Sequence, residues 1–179
     1  VVQGANGPRK KSGKDYAGVE NKESSRWLEQ MKAVEELLSP TGCQLVHVAD
    51  RQADIYAVLA TLKERAYHYV IRLSRDKKAR QKEGDPLDSL TTLAQRTKGM
   101  MEVQVPIAAR TAKTIPGQKK TFPEREARTA CLEFAATSAL INAPQYAGQG
   151  SLPINVVHVR EINPPDGVEP IEWTLLTSE

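Results

Sequence analysis

Between residues 22 and 73 the sequence alternates between helical and β-like patterns, and this alternation constrains the fold more than any other feature. Apolar residues recur at helical spacing over 22–38 and again over about 53–66. Each of these segments is followed by a short, largely apolar and β-branched segment, at 43–49 and at 68–73. Helix, strand, helix and strand joined by short connections predict a parallel α/β unit, and we expect its first strand to be covered on both faces.

The rest of the chain has a different pattern. Residues 1–20 are rich in Gly, Lys and Ser and are typical of a loop or flexible arm, and residues 74–86 are typical of a polar linker or hairpin tip. Leucines at helical spacing predict a short helix at 87–99. Strands are predicted at 101–107, 129–141, 154–161 and 171–177. We therefore predict an arm (1–20), an α/β segment (21–76) and a mostly antiparallel β segment (77–179).

The net charge of +3 hides an uneven distribution of charge along the chain. Residues 63–128 contain 16 Lys and Arg against 8 Asp and Glu, a balance of +8, whereas the rest of the chain carries −5. A basic segment of this kind is a candidate surface for a polyanion such as nucleic acid. A set of Lys-rich loops that only solubilise the surface is the other interpretation.

Several classes of protein are excluded or disfavoured by the composition. No apolar run approaches the roughly 18 residues that a membrane span needs, which excludes a transmembrane helix. The two cysteines, Cys43 and Cys131, form neither a metal-binding spacing nor a disulfide framework, and we expect a reducing cytoplasm. The N-terminal residues contain no apolar signal-peptide core, and the first residue is Val1 rather than Met, so we expect a processed product or a fragment.

Asp50 has the most informative position of any charged residue, because it follows the predicted strand at 43–49 and precedes a predicted helix. Ligand-binding groups gather at this edge of α/β sheets, and a carboxylate held there suits Mg²⁺. An aspartate before a helix is also an ordinary N-cap, and spacing alone leaves both roles open. We expect Asp54, one helical turn further on, to face solvent in the first turn of the helix.

Arg72 and Trp173 are two further candidates that the residues themselves suggest. Arg72 interrupts an apolar strand and either anchors a phosphate through two hydrogen bonds or lies on an exposed strand face. Trp173 alternates with Ile171 and Leu175, as a core residue would, but an aromatic ring beside basic loops can also stack on a nucleobase. The sequence contains no Gly-rich phosphate loop and no Gly-x-Ser-x-Gly nucleophile elbow, and we expect each histidine to serve packing.

Residues 50–56 read D-R-Q-A-D-I-Y in a strand-to-helix context. Three other segments are K-E-S-S-R-W-L at 22–28, Y-V-I-R at 69–72, and E-I-N-P-P through I-E-W-T-L-L-T-S-E at 161–179. In order and spacing these four segments resemble the bacterial insertion-sequence transposases of the hairpin-forming IS-four type, in which the segment similar to residues 50–56 reads D-R-E-A-D-I-Y. Four ordered motifs are more specific than any one of them, and together they extend over roughly residues 20–179.

The resemblance implies a ribonuclease-H-like catalytic core interrupted by a β-rich insertion. Residues 21–76 would then belong to a partial core and residues 77–179 to the insertion. The implied reaction is cut-and-paste DNA transposition, with hydrolysis and strand transfer at the transposon ends and a DNA hairpin intermediate. An Asp-Asp-Glu triad would hold two Mg²⁺ or Mn²⁺ ions, the transposon ends and target DNA would be the partners, and the full-length protein would act as a homodimer.

Individual residues match the motifs of the family. Asp50 corresponds to the second aspartate of the triad and would be a catalytic metal ligand. Trp173 corresponds to the aromatic residue that stacks on a flipped base at the hairpin, and Arg51 and Arg72 correspond to basic positions near the DNA. The basic loop of the insertion would lie along DNA phosphates, and its candidate residues are Lys113, Lys119 and Lys120.

The chain departs from the pattern of the family at two of the three catalytic positions. Asp15 stands in a Gly/Lys-rich context that does not match the first aspartate, and the catalytic glutamate of the family lies downstream of Glu179. Gln52 also replaces a glutamate that is usual in the family. We therefore expect an internal fragment that has no cleavage activity alone and has an open strand edge that favours self-association. A non-catalytic DNA-binding module and a decayed transposase remnant are the alternatives.

Overall fold

Two helices and two parallel strands form the first part of the fold. The computed structural model describes residues 23–114, 121–122 and 124–179, so the predicted arm at 1–20 lies outside the described residues. Helix α1 spans Glu23–Leu38, and strand β1 follows at Val46–Ala49. Helix α2 spans Tyr56–Glu64 and is followed by strand β2 at His68–Arg72. Strands β1 and β2 pair in parallel, which confirms the predicted α/β unit.

The second part of the chain is mostly strand. Its one α-helix among the described residues, α3, spans Leu90–Gln95, and no described helix is long and apolar enough to cross a membrane. The strands are β3 (Lys78–Arg80), β4 (Asp88–Ser89), β5 (Met101–Ile107), β6 (Lys113–Thr114), β7 (Thr121–Phe122), β8 (Arg128–Asn142), β9 (Ser151–Ile162) and β10 (Glu172–Thr177). The four strands predicted from the sequence correspond to β5, β8, β9 and β10.

The described strands form one eight-stranded open sheet and a separate two-stranded pair. The order in the large sheet is β1-β2-β10-β9-β8-β3-β4, and β5 pairs with another part of β8. Every described pairing except β1 with β2 is antiparallel. The fold is therefore mixed α/β with a mostly antiparallel sheet. Strands from both sides of the predicted boundary near residue 76 belong to this sheet.

The main hydrophobic core lies between the helices and one face of the sheet. Leu59 of α2, Tyr69 of β2 and Leu176 of β10 are almost completely buried in it. Complete burial of one such side chain contributes about 1.5–3 kcal/mol, so this face holds α2 firmly on the sheet. A smaller cluster around Leu132 and Val159 lies on the other face, beside β5.

Strand β1 lies at the edge of the sheet, and its outer face is open. Within the described residues β1 pairs with β2 alone. Val46 is 47% exposed and Val48 is 77% exposed. On the inner face Ala49 is buried, and Nε2 of His47 lies 2.8 Å from Oε1 of Glu35 on α1. The prediction that this strand is covered on both faces is therefore wrong for the described part of the chain, because the helices cover only its inner face.

The segment around residues 74–99 contains more strand and less helix than the sequence predicts. Strand β3 lies within the predicted linker, where Ala79 is fully buried and pairs with Ile141 of β8. Helix α3 is shorter than the predicted helix at 87–99, because Oγ of Ser89 accepts the N–H of Thr92 at 3.1 Å and caps its start. The first difference arises from pairing with a strand that is distant in the sequence, and the second from a local side-chain cap.

Candidate functional site

Asp50 lies directly after β1, and its side chain is exposed. Its backbone is extended, and its carbonyl oxygen accepts the N–H of Ala53 at 3.0 Å, which begins a 3-10 turn at Arg51–Ala53. The Asp50 side chain makes no capping hydrogen bond to that turn. The N-cap role is therefore not used here, and the carboxylate stays accessible at the carboxyl end of the strand.

Asp54 is buried, whereas the sequence predicts a solvent-facing side chain. Its Oδ2 accepts the N–H of Ser74 at 2.7 Å and the N–H of Arg75 at 3.2 Å. Nζ of Lys77 lies 2.6 Å from Oδ1, at ion-pair distance but without hydrogen-bond geometry. The prediction is wrong because α2 begins only at Tyr56, so Asp54 lies in the turn before the helix and anchors the β2–β3 loop.

The described residues do not by themselves fit the pair of metal ions that the resemblance implies. No group of three or more His, Cys, Asp or Glu side chains that could hold a metal ion occurs in the described part of the chain. The carboxylate of Asp54 accepts hydrogen bonds from the β2–β3 loop, and that of Asp76 accepts them from Ser89 and Thr91. Two-metal catalysis requires several convergent carboxylates, and Asp50 is one ligand of such a set at most.

Arg72 and Trp173 meet across two neighbouring strands. Strand β10 runs antiparallel to β2, with Leu175 opposite Arg72. The guanidinium carbon of Arg72 lies 5.7 Å from the centre of the Trp173 ring, which is a cation–π distance. Trp173 is 39% exposed. Of the two positions that the sequence leaves open for Trp173, the structure has the exposed one.

A shallow pocket of about 230 Å³ brings the basic and aromatic candidates together. Arg51, Arg72 and Trp173 all line this pocket, which we call the Arg–Trp pocket. They come from the turn after β1, from β2 and from β10. Asp50 immediately precedes Arg51 in the chain, and its exposed side chain is not among those that line this pocket.

A buried histidine lies on the face of the sheet opposite Trp173. Nδ1 of His158 on β9 lies 3.3 Å from Oγ1 of Thr174, and Nε2 lies 3.4 Å from Oε1 of Glu172. Burial lowers the pKa of His158, and the nearby Glu172 opposes that shift, so the imidazole is neutral at pH 7. Nε2 of Gln95 on α3 donates to Oε1 of Glu172 at 2.8 Å. These contacts fix the strand that carries Trp173.

The basic loop that the resemblance assigns to DNA is described only in part. Lys113 lies in β6, which pairs with β7, but its side chain lies outside the described part of the chain. Lys119 and Lys120 lie outside the described residues altogether. DNA contacts by these three lysines stay a prediction.

A larger groove of about 900 Å³ adjoins the Arg–Trp pocket and shares Arg51 with it. This α2 groove lies between the start of α2, the β2–β3 loop and the β8–β9 loop. Arg75 and Lys78 line it, and neither is among the site residues predicted from the sequence. The signal that points to them is the basic run R-D-K-K-A-R at 75–80, directly after a predicted strand.

Three of the residues predicted from the sequence, Arg51, Arg72 and Trp173, line one pocket. Asp50 is exposed at the end of β1, directly before Arg51 in the chain. The other four-residue combination of interest, Asp54 with its two amide donors and Lys77, is structural. No family model matches the chain.

Proposed function

We propose that this chain is part of the catalytic region of a cut-and-paste DNA transposase of the hairpin-forming insertion-sequence type. The observation that carries the proposal is the convergence of Arg51, Arg72 and Trp173 on one pocket, with Asp50 directly before Arg51 in the chain. A parallel strand pair with antiparallel β10 next to it is compatible with a partial ribonuclease-H-like core followed by an insertion. The partners would be transposon ends and target DNA, held by a homodimer of the full-length protein.

In this proposal Trp173 stacks on a base that has left the DNA helix. Stacking of a base on an aromatic side chain contributes about 1–3 kcal/mol, and more than a third of the Trp173 surface is accessible for it. Arg72 already contacts the indole ring and holds it in place. The guanidinium groups of Arg51 and Arg72 would bind the phosphates on either side of that base, each with paired N–H donors.

Asp50 would supply one oxygen ligand to Mg²⁺ or Mn²⁺, which are hard cations that prefer carboxylates. The other ligands would come from residues outside the described part of the chain, so no cleavage step is assigned to the described residues. We expect no nicking of supercoiled plasmid by this chain alone in Mg²⁺ or Mn²⁺. Nicking that persists through purification and is abolished by Asp50→Ala would contradict this expectation.

Tryptophan fluorescence tests the stacking role directly. The chain has two tryptophans, so Trp27→Phe leaves Trp173 as the single emitter. A DNA hairpin with an unpaired thymine at its tip should quench this emission, and a blunt duplex of the same stem should not. A Trp173 emission that responds equally to both DNAs would refute the proposed stacking.

Anisotropy of a labelled hairpin tests the energetic contribution of the pocket. Trp173→Ala should weaken hairpin binding by about 1–3 kcal/mol. Arg72→Lys keeps the charge but loses the planar contact with the indole, so it should fall between wild type and Arg72→Ala. Lys98→Ala removes an exposed cation that does not line the pocket and is the matched control.

A non-catalytic DNA-binding module is the second candidate, because the chemistry of the Arg–Trp pocket needs no metal. Both candidates predict hairpin binding that weakens with salt, by a slope of about 0.9 for each phosphate contact. The coding sequence on either side of this chain separates them. An upstream strand with the first aspartate and a downstream helix with the glutamate favour the enzyme, and stop codons there favour a decayed remnant.

A further inference from the structure

The α2 groove has an apolar floor and aromatic side chains along it. Ile141 and Ala143, at the end of β8 and just after it, are buried beneath the groove. Tyr56 is half-buried at the first position of α2, and Tyr146 in the β8–β9 loop is 41% exposed. A cleft of about 900 Å³ is within the size range of ligand sites in proteins.

The rim of the α2 groove is basic. Arg51, Arg75 and Lys78 line the groove with exposed side chains. The ion pairs formed among the described residues leave all three without a carboxylate partner. A fourth cation, Lys77, is turned inward and is neutralised by Asp54. The carboxylate of Asp76 also lines the groove, so the three remaining cations leave the rim with a net charge of +2.

The buried Asp54 carboxylate fixes the loop that carries Arg75 and Lys78 before any ligand binds. It accepts the backbone N–H groups of Ser74 and Arg75, and it pairs with Lys77. The loop is thereby held on the body of the fold, with Arg75 and Lys78 exposed on either side of the partly buried Lys77. A loop fixed in this way loses little conformational entropy when it binds an anion.

We infer that the α2 groove binds a short single-stranded segment of DNA, with bases against the tyrosines and apolar floor and phosphates against the basic rim. A basic track combined with aromatic platforms is how single strands are bound without sequence preference. Paired DNA would meet only the rim, because its bases are stacked inside the helix. An acidic peptide would satisfy the rim but presents no flat rings to the tyrosines.

The groove and the Arg–Trp pocket share Arg51, so a strand could continue from one into the other. The inference concerns binding alone and does not require that the chain belongs to a transposase. If the proposed function is also correct, the groove would hold the unpaired strand that leads away from the flipped base.

Anisotropy of a labelled oligodeoxythymidine of about 12 nucleotides, a length within common single-strand site sizes, tests the basic rim. Arg75→Ala/Lys78→Ala should raise Kd by about tenfold or more at low salt and reduce the salt slope by about 1.4, since each phosphate contact contributes about 0.7. Lys63→Ala/Arg65→Ala removes two exposed cations from the other end of α2 and is the matched control. The control should stay within about twofold of wild type.

Variants of Tyr56 test the stacking contact. Tyr56→Leu retains the apolar volume but removes the ring, and it should raise Kd by about fivefold or more. Tyr56→Phe retains the ring and should bind as wild type does. Circular dichroism melting compares the fold of both variants with wild type, and the rim variants test the inference without touching Tyr56.

Several results would overturn the inference. These are an unchanged Kd in Arg75→Ala/Lys78→Ala, an unchanged Kd in a folded Tyr56→Leu, and equal affinity for a duplex of the same length. An oligoglutamate peptide that competes as well as unlabelled oligonucleotide would assign the groove to an acidic peptide instead. Hairpin binding by Trp173→Ala tests the proposed function, whereas oligodeoxythymidine binding by Arg75→Ala/Lys78→Ala tests this inference, so failure of one is distinguishable from failure of the other.

Discussion

Removal of the Asp54 charge should destabilise the fold substantially, although the side chain lies at the start of a surface loop. The Asp54 side chain is completely buried, and Lys77, which pairs with it at 2.6 Å, is 14% exposed. Two backbone N–H groups, from Ser74 and Arg75, donate to the same carboxylate. Asp54→Asn keeps the shape of the side chain and one acceptor oxygen but removes the charge that all three groups share.

The expected loss follows from these contacts. Hydrogen bonds to a charged group contribute about 1.5–3 kcal/mol and neutral ones about 0.5–1.5 kcal/mol, so the two amide bonds together lose about 2–3 kcal/mol. Loss of one partner of a fully buried ion pair costs about 3–5 kcal/mol, but the partly exposed Lys77 can turn toward solvent. We therefore expect a total of about 3 kcal/mol. For 179 residues this lowers Tm by about 6–12 °C.

Urea denaturation followed by circular dichroism measures this loss, and a double-mutant cycle with Lys77→Met isolates the ion pair. The double variant should be more stable than the sum of the single changes predicts, by at least about 1 kcal/mol. Asp85→Asn is the control, because Asp85 is exposed and should change stability by less than about 0.5 kcal/mol. A loss below about 1 kcal/mol in Asp54→Asn, or additive single effects, would refute the reasoning.

Two buried titratable groups and the open sheet edge lead to three more expected outcomes. Burial lowers the pKa of His158, so the stability that the neutral imidazole contributes is complete above about pH 6.5 and is lost as the pH falls below it. Calorimetry should therefore show a smaller fall in Tm between pH 7 and pH 5 for His158→Gln than for wild type. The hydrogen bonds from Arg128 hold the pKa of Glu161 below its usual 4.5, so the urea-stability difference between wild type and Glu161→Gln should shrink as pH falls from 7 to 3. Val48→Lys, at the exposed β1 edge, should reduce self-association in light scattering; a wild-type chain that is already monomeric at micromolar concentration would contradict that expectation.

The elements that the sequence predicts correctly are those whose pattern is long enough to be read locally. Strand β5 alternates over seven residues, and β8 has a β-like composition over most of its length. Strand β3 has three residues, and its only apolar side chain is Ala79, so it carries no periodicity. It is a strand because β8, about 60 residues further on, supplies its hydrogen bonds.

The candidate site could be predicted residue by residue but not as an arrangement. Position after a strand identifies Asp50, and interruption of an apolar strand identifies Arg72, because both signals are local. The contact between Arg72 and Trp173 depends on the pairing of β2 with β10, which no local pattern reveals. The burial of Asp54 depends in the same way on Lys77, a residue in the β2–β3 loop that reads from the sequence as one more surface cation.

Strand β10 lies between β2 and β9, so the two halves of the large sheet join only when this last described strand has been made. Leu175 pairs with Arg72, about 100 residues earlier in the chain. At synthesis rates of about 5–20 residues per second, one edge of β2 stays unpaired on the ribosome for about 5–20 s. During that interval the nascent chain offers an apolar strand edge to chaperones or to wrong partners. The Arg–Trp pocket therefore cannot form before β10, which carries Trp173, has been made.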